Sequence, residues 1–255
     1  MTPVAAPAAT WRALGASVRG TSHLRADQPC QDAHAVRRLP GGALAIAVAD
    51  GAGSVAHAEA GARAAAHAAV DALAASAATV ADGGWTALVD AALAAALNAV
   101  EAAAAQRGVE ARELSTTLIA CVVTGDGVMV AQVGDGAVIA AEEGGMRALT
   151  APTSGEFANE TVFLTSPGAV AAAQRTVWRG QARHLAVFSD GLQALALKLP
   201  ERTPHEPFFA PLFAFAAQAG DHGDAEAQLR AFLSSERVTT RSDDDITLVL
   251  ATRDG

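Results

Sequence analysis

The sequence contains no tyrosine, only 4% aromatic residues in a chain of 255, and two cysteines. A core with so few rings has to rely on alanine and aliphatic side chains at short backbone distances, in a chain long enough to bury a sizeable interior. Cys30 and Cys121 stand far apart and outline neither a zinc-ligand pair nor a disulfide framework, which fits a reducing compartment. Basic residues are scarce too: 18 Lys and Arg against 27 Asp and Glu, a formal charge of −9. That balance argues against a nucleic-acid partner, which calls for a basic stripe, and against an anionic membrane surface. The start, MTPVAAPAATW, has no basic segment followed by an apolar one and does not read as a secretion signal. No apolar run is expected to span a bilayer, because His, Glu, Asp and Arg interrupt the alanine-rich stretches. Without secretion, the glycosylation sequon Asn159-Glu160-Thr161 is a chance match. The expectation is a soluble, acidic, cytoplasmic protein.

Residues 1–10 read as a tail without order and 11–255 as one domain, since no linker divides them. The run ALAIAVA at 43–49, bounded by Gly41-Gly42 and Asp50-Gly51, predicts a strand buried on both faces. Two alanine-rich segments, 57–78 and 85–107, separated by Asp82-Gly83-Gly84, predict a helical hairpin. Strands are expected at 116–124 and 128–133, joined by Gly125-Asp126-Gly127, and again at 137–141, 161–164, 176–178, 182–188 and 246–252. A short helix should follow Asp190-Gly191, with longer ones at 207–219 and 224–233. A polar loop around 152–159 is long enough to be suspected of function. Strand runs alternate with helix pairs, without a regular βαβ rhythm. That pattern predicts an α+β architecture with mainly antiparallel sheets.

Acidic residues recur where apolar strands end. ALAIAVA runs into Asp50, VMVAQV into Gly134-Asp135-Gly136 and LAVF into Ser189-Asp190-Gly191, while Asp243-Asp244-Asp245 precedes ITLVLAT. Each alone is an ordinary turn former. Together, on adjacent antiparallel strands, they fall on one rim, where gathered carboxylates resist ionisation unless a cation joins them. Hard divalent cations take carboxylate, carbonyl and water oxygens, and glycine after Asp lets the backbone come close. The residues therefore point to a Mg²⁺ or Mn²⁺ site. The Lys-Ser/Thr phosphate loop, a histidine-rich zinc pattern and a Gly-x-Ser-x-Gly elbow are all missing, which leaves metal-activated water as the natural attacking group.

AVADGAGS (47–54), STTLIACVV (115–123), VGDGAVI (133–139), FSDGLQ (188–193) and DDDITLVL (243–250), in that order, resemble the metal-dependent protein phosphatases of the 2C group. GTSHLRADQPCQDAHAV (20–36) and GEFANETVFLTS (155–166) resemble its bacterial branch. The resemblance implies a four-layer α-β-β-α sandwich and hydrolysis of phosphoserine and phosphothreonine in proteins, some of them substrates of a cognate kinase. It implies two Mg²⁺ or Mn²⁺ ions, with Asp50 bridging them, the Gly51 carbonyl on one, and Asp190 and Asp244 on the other. Asp32 would orient water for direct in-line attack on phosphorus, and Asp135 would contribute to a weaker third ion.

The sequence departs from that pattern at four places. Gln31 stands where the group usually has a metal-binding Glu, offering a neutral oxygen and a weaker second site. Asp27 replaces a phosphate-gripping Arg, which leaves that task to Arg25 or Arg19. Ala52 replaces a candidate acid His of eukaryotic members, and Asp245 replaces an Asn. These departures motivate the alternative of a catalytically weak phosphoprotein-binding or scaffold module. His23 could hydrogen-bond near the metals or serve a structural turn, and His57 reads as a surface residue at a helix start. Cys30 reads as a packed thiol, Ser54 and Glu59 as helix-capping residues, and 159–161 either as a substrate-facing flap or as a turn.

Overall fold

Along Leu44–Asp50 (β3) the alternating side chains serve two different interiors. Ala45, Ala47 and Ala49 pack under helices, whereas Leu44, Ile46 and Val48 face a second sheet. This computed structural model describes residues 10–77, 84–152 and 161–253. Residues 1–9 of the tail expected at 1–10, the Asp82-Gly83 turn and most of the 152–159 loop lie outside them.

One five-stranded sheet has the order β2-β3-β4-β5-β8, with β2 at Asp32–Arg38, β4 at Leu118–Val123, β5 at Gly127–Val133 and β8 at Gln174–Arg179. The other has the order β1-β12-β9-β6-β7, formed by Trp11–Val18 (β1), Ile246–Arg253 (β12), His184–Phe188 (β9), Ala137–Glu142 (β6) and Gly145–Thr150 (β7). Every pairing in both is antiparallel. The sheets meet face to face over Ile46, Ile119, Val130, Val138, Val187 and Val249. A two-residue ladder joins Leu197–Lys198 (β10) to Thr203–Pro204 (β11).

Helices Ala58–Ala77 (α2) and Trp85–Arg107 (α3) cover the first sheet. Glu206–Gln218 (α6) and His222–Leu233 (α7) cover the second through Phe209, Phe213 and Leu229. Short helices lie at Thr21–Arg25 (α1), Ala169–Ala172 (α4), Gln193–Ala196 (α5) and Glu236–Thr239 (α8). The result is the expected α-β-β-α sandwich. Alanine explains the close approach of α2: Ala62, Ala65, Ala66 and Ala69 are fully buried against the alanine row of β3. At Gly61 even a methyl group is excluded, because a Cβ there would lie 2.0 Å from the Leu114 carbonyl oxygen.

Three expectations need correction. By length and composition α3 could cross a membrane, with a mean hydropathy of 1.5 over its most apolar stretch. Small alanines raise that value, and here Leu88, Val89, Leu93 and Val100 are buried against the rest of the fold. Residues 161–164 form no strand; the segment is held instead by single hydrogen bonds, Leu164 N–H to the Thr116 carbonyl at 2.7 Å among them. Conversely, β1, β2 and β7 form where no clear strand pattern is visible. They are edge strands, and the exposed outer half of β2 and middle of β7 break the apolar alternation.

Topology puts the acidic strand ends together. β3 and β5 both run antiparallel to β4, so Asp50 and the turn after Val133 leave the same edge. That turn crosses to the second sheet, where Ala137 pairs with Phe188 and Phe188 pairs with Leu248. The end of β9, the start of β12 and the start of β6 therefore share the rim.

Candidate metal centre

Asp50, Asp135 and Asp190 each bring a carboxylate oxygen to within 4.8 Å of the other two. All three are partly buried. Asp50 is fixed by its backbone: Thr116 Oγ1 and Thr117 N–H donate to its carbonyl at 2.9 and 2.8 Å, and its N–H donates to Thr117 Oγ1 at 3.0 Å. Asp135 sits on a turn braced from inside by Gln132, whose Nε2 donates to the carbonyls of Gly134 at 3.1 Å and Gly136 at 2.6 Å. Gly134 has φ +102°, a conformation that favours glycine. Thr161, just past the 152–159 loop, donates to Asp135 Oδ2 at 2.9 Å. Asp190 opens the short helical turn after β9, and Gly191 lets that turn approach the Asp245 carbonyl; a Cβ would come within 2.2 Å of its oxygen.

Asp32 starts β2 directly across from Asp50, and Ser189 Oγ donates to its Oδ2 at 2.6 Å. Gln31 precedes it, and its carbonyl accepts the Gly51 N–H at 3.2 Å. Gly51 itself is pressed against the start of α2, where a Cβ would meet Ala58 at 2.8 Å. Asp244 stands apart from the 4.8 Å group, exposed at the mouth, yet its charge acts on both Asp50 and Asp190.

Four of the acids are raised above the ordinary carboxylate range. Burial pushes Asp32 up to about 7 against the opposing Ser189 hydroxyl. Burial, then the charges of Asp32 and Asp190, hold Asp50 well above the carboxylate range. Burial and the neighbouring Asp135 raise Asp190 to about 6, and burial raises Asp244 as well. Asp32 Oδ1, Asp135 Oδ1, Asp190 Oδ1 and Gln31 Oε1 are sealed from solvent and have no hydrogen-bond donor. Buried acceptors without donors are costly unless a cation or ordered water meets them. An all-oxygen set of carboxylates and one amide suits a hard divalent cation, so the residues present fit the expected group.

The protein phosphatase 2C family profile matches residues 19–234. The chain belongs to that family. Serine/threonine-protein phosphatase 3 of Escherichia coli K12 is 35% identical over 254 residues, covering 95% of this chain and 98% of the relative. Two solved structures share the fold of this phosphatase-family chain. The serine/threonine phosphatase Stp1 from Staphylococcus aureus has a TM-score of 0.65 at 15% identity, with 96% of each chain covered. The catalytic domain of PstP in complex with two manganese ions has a TM-score of 0.62 at 20% identity, covering 97% of this chain and all of that one.

Other expected residues take humbler places in this family member. Arg19 is exposed and donates to the Gln28 carbonyl at 3.0 Å. Arg25 donates to the Thr21 carbonyl at 3.1 Å and pairs with Asp243 at 3.3 Å, both side chains largely in solvent. His23 is buried with Nδ1 2.8 Å from Asp245 Oδ2. His57 is half-buried at the start of α2, and Glu59 pairs with Arg63 at 2.9 Å. Burial raises the Cys30 thiol pKa, as expected of a packed side chain, and pushes Cys121 up to about 12. Sequence reading passes over Ser189, Thr117, Gln132 and Asp245 as supports. Their signal is a polar residue at a strand end where the fold buries it: all four are 5% exposed or less.

Proposed function

We propose that the protein is a divalent-metal-dependent phosphatase of phosphoserine and phosphothreonine in proteins. The observation that carries this reading is the convergence of Asp50, Asp135 and Asp190 within 4.8 Å, beside buried oxygens that lack donors. In this reading Asp50, the Gly51 carbonyl, Gln31 Oε1, Asp190 and Asp244 would hold two Mg²⁺ or Mn²⁺ ions. Asp135, in the same cluster, serves a weaker third ion. Cations bound there would offset phosphate charge and lower the pKa of water.

The chain's own groups do the rest. Asp32 has Oδ2 held by Ser189 and Oδ1 free, with a carboxyl near 7. A group poised there can orient the attacking water through Oδ1 and take its proton near neutral pH. Its position across from Asp50 would hold that water beside the ions for in-line displacement. Arg25, paired with Asp243 next to Asp244, and Arg19 would be the guanidinium groups that meet phosphate, and His23 of α1 lies beside Asp245. Gln31 Oε1 is buried without a donor, as a metal-binding oxygen would be, which favours a working enzyme over a scaffold.

This reading describes one domain spanning 11–255, acting in the cytoplasm on phosphoproteins made by a cognate Ser/Thr kinase, with no nucleic-acid or membrane partner. The test is hydrolysis of a phosphothreonine peptide with Mn²⁺ or Mg²⁺, beside small metabolite phosphates. Release of phosphate from the peptide is expected. No turnover with any divalent ion at high enzyme concentration overturns it.

A further inference from the structure

Three consecutive aspartates at the start of β12 do three different things. Asp243 lies exposed and pairs with Arg25 at 3.3 Å. Asp244 is turned to the mouth, its Oδ1 accepting the Asp245 N–H at 2.8 Å. Asp245 is 2% exposed and points the other way. Its Oδ1 accepts the Gly20 N–H at 2.7 Å, its Oδ2 accepts the Gln31 N–H at 2.5 Å, and the same Oδ2 lies 2.8 Å from His23 Nδ1. One carboxylate thus gathers the end of β1, helix α1 and the residue before β2. Gly20 makes the approach possible, since a Cβ there would lie 2.2 Å from the Asp244 carbonyl carbon.

Gln31 is the point where this tie meets the centre. Its N–H is held by Asp245, its carbonyl takes the Gly51 N–H, and its amide oxygen is buried without a donor. Asp32 follows directly and lies opposite Asp50. Hydrogen bonds to a carboxylate are shorter and roughly twice as strong as neutral ones. A buried carboxylate on this backbone therefore defines where Gln31 and Asp32 sit more firmly than an amide could.

We propose that Asp245 is a positioning residue of the metal centre, setting the backbone at Gln31 so that Gln31 Oε1 and Asp32 meet the cation, with His23 as its partner. The proposal rests on the reading of this rim as a divalent-metal phosphatase centre. Asp245 touches no reacting group; it acts through Gln31. The carboxylate that the third aspartate adds is met by two backbone N–H donors rather than by the metal, with His23 Nδ1 2.8 Å away.

The test compares wild type and Asp245→Asn as full chains. Mn²⁺ affinity is measured by calorimetry, melting temperature with and without metal, and kcat and KM on a phosphothreonine peptide. The variant keeps the shape but turns an NH2 group towards a backbone donor. Loss of a partner that orients a metal ligand costs about 10- to 100-fold in affinity or activity, and that loss is expected here, in Mn²⁺ affinity and kcat, with KM within about twofold. Gln31→Glu should also couple to it: because a Glu beside Asp245 meets a like charge, its effect on Mn²⁺ affinity should be at least about threefold more favourable in the Asp245→Asn background.

Mn²⁺ affinity and kcat within about twofold of wild type, even with a lower melting temperature, would reduce Asp245 to a structural tie and overturn the proposal. If Asp245→Asn does not accumulate, His23→Gln decides: at least about threefold weaker Mn²⁺ binding supports the proposal and an unchanged affinity overturns it. Because Mn²⁺ binding needs no substrate, a wild type that binds Mn²⁺ but cleaves no phosphopeptide overturns the functional reading alone. A wild type that binds no divalent cation overturns both.

Discussion

Asp32 stands directly opposite Asp50 at the rim end of the β2–β3 ladder, two carboxylates in cross-strand register. Like charges facing each other in this way destabilise a sheet. The protein keeps them there with burial that favours their protonated forms, Asp32 at about 7 and Asp50 well above its ordinary 3.8. A cation bound at these oxygens would offset that repulsion. Four predictions follow from this rim and its supports.

Without metal, stability should fall as pH rises through the acid range. The folded carboxyls have raised pKa values, so the stability linked to their protons is fully present below about 4, the unfolded value. It is lost as pH climbs through about 6 for Asp190 and about 7 for Asp32. The melting temperature in chelator should therefore drop between pH 5 and pH 7.5. Mn²⁺ should raise it more at the higher pH, where it displaces fewer protons. Equal increments at the two pH values would contradict the assignment.

Asp50→Asn should separate stability from function. It replaces an acid whose ionisation is opposed by burial and by the charges of Asp32 and Asp190 with a neutral amide, so the metal-free melting temperature at neutral pH should rise, by the equivalent of about 1 kcal/mol. Phosphopeptide hydrolysis should fall at least about 100-fold, because the site would lose a carboxylate that holds Mn²⁺. Thermal melts in chelator, paired with turnover measurements, check both signs at once.

Ser189→Ala should move the pH profile. Its hydroxyl donates to Asp32 Oδ2 and accepts the Thr247 N–H at 2.9 Å. Losing it takes one of two hydroxyl donors from Asp32 and the acceptor from the Thr247 N–H, at about 1–3 kcal/mol. The donated bond also holds the Asp32 carboxyl down, so without it the acidic limb of the rate profile should shift to higher pH. A limb that stays in place while stability drops would confine Ser189 to a structural role.

Gly191→Ala should damage the centre through packing. Its Cβ would sit 2.2 Å from the Asp245 carbonyl oxygen, forcing the Asp190 turn away from the start of β12. A destabilisation of about 1–3 kcal/mol is expected, together with weaker Mn²⁺ binding. Gly144→Ala, where a Cβ meets nothing within 4 Å, should stay within about 0.5 kcal/mol of wild type. Denaturant melts of the two variants side by side give the comparison.

Much of the fold is readable in the chain because its signals are local. The run through β3 announces a strand buried on both faces, and the alanine-rich stretches announce α2 and α3 within a residue at the ends that the structure describes. The edge strands β2 and β7 are harder to see, since solvent on one side breaks their apolar alternation, and β1 carries no clear strand pattern although none of its residues is exposed. Asp50, Asp135 and Asp190 are legible as candidates because each ends an apolar strand or follows it within two residues.

By itself the sequence determined which acids stand at strand ends, and so that a hard cation was the natural partner. Only the tertiary structure decided how those acids divide their tasks. Asp135 joins Asp50 and Asp190, Asp244 waits at the mouth, and Asp245 turns inward to hold Gln31 and Gly20. The physical reason is distance along the chain: Gln31 and Asp245 are 214 residues apart, and Ser189 lies 157 from Asp32. Which hydrogen-bond donor meets which carboxylate is settled when the two sheets close on each other, and no local pattern carries that information.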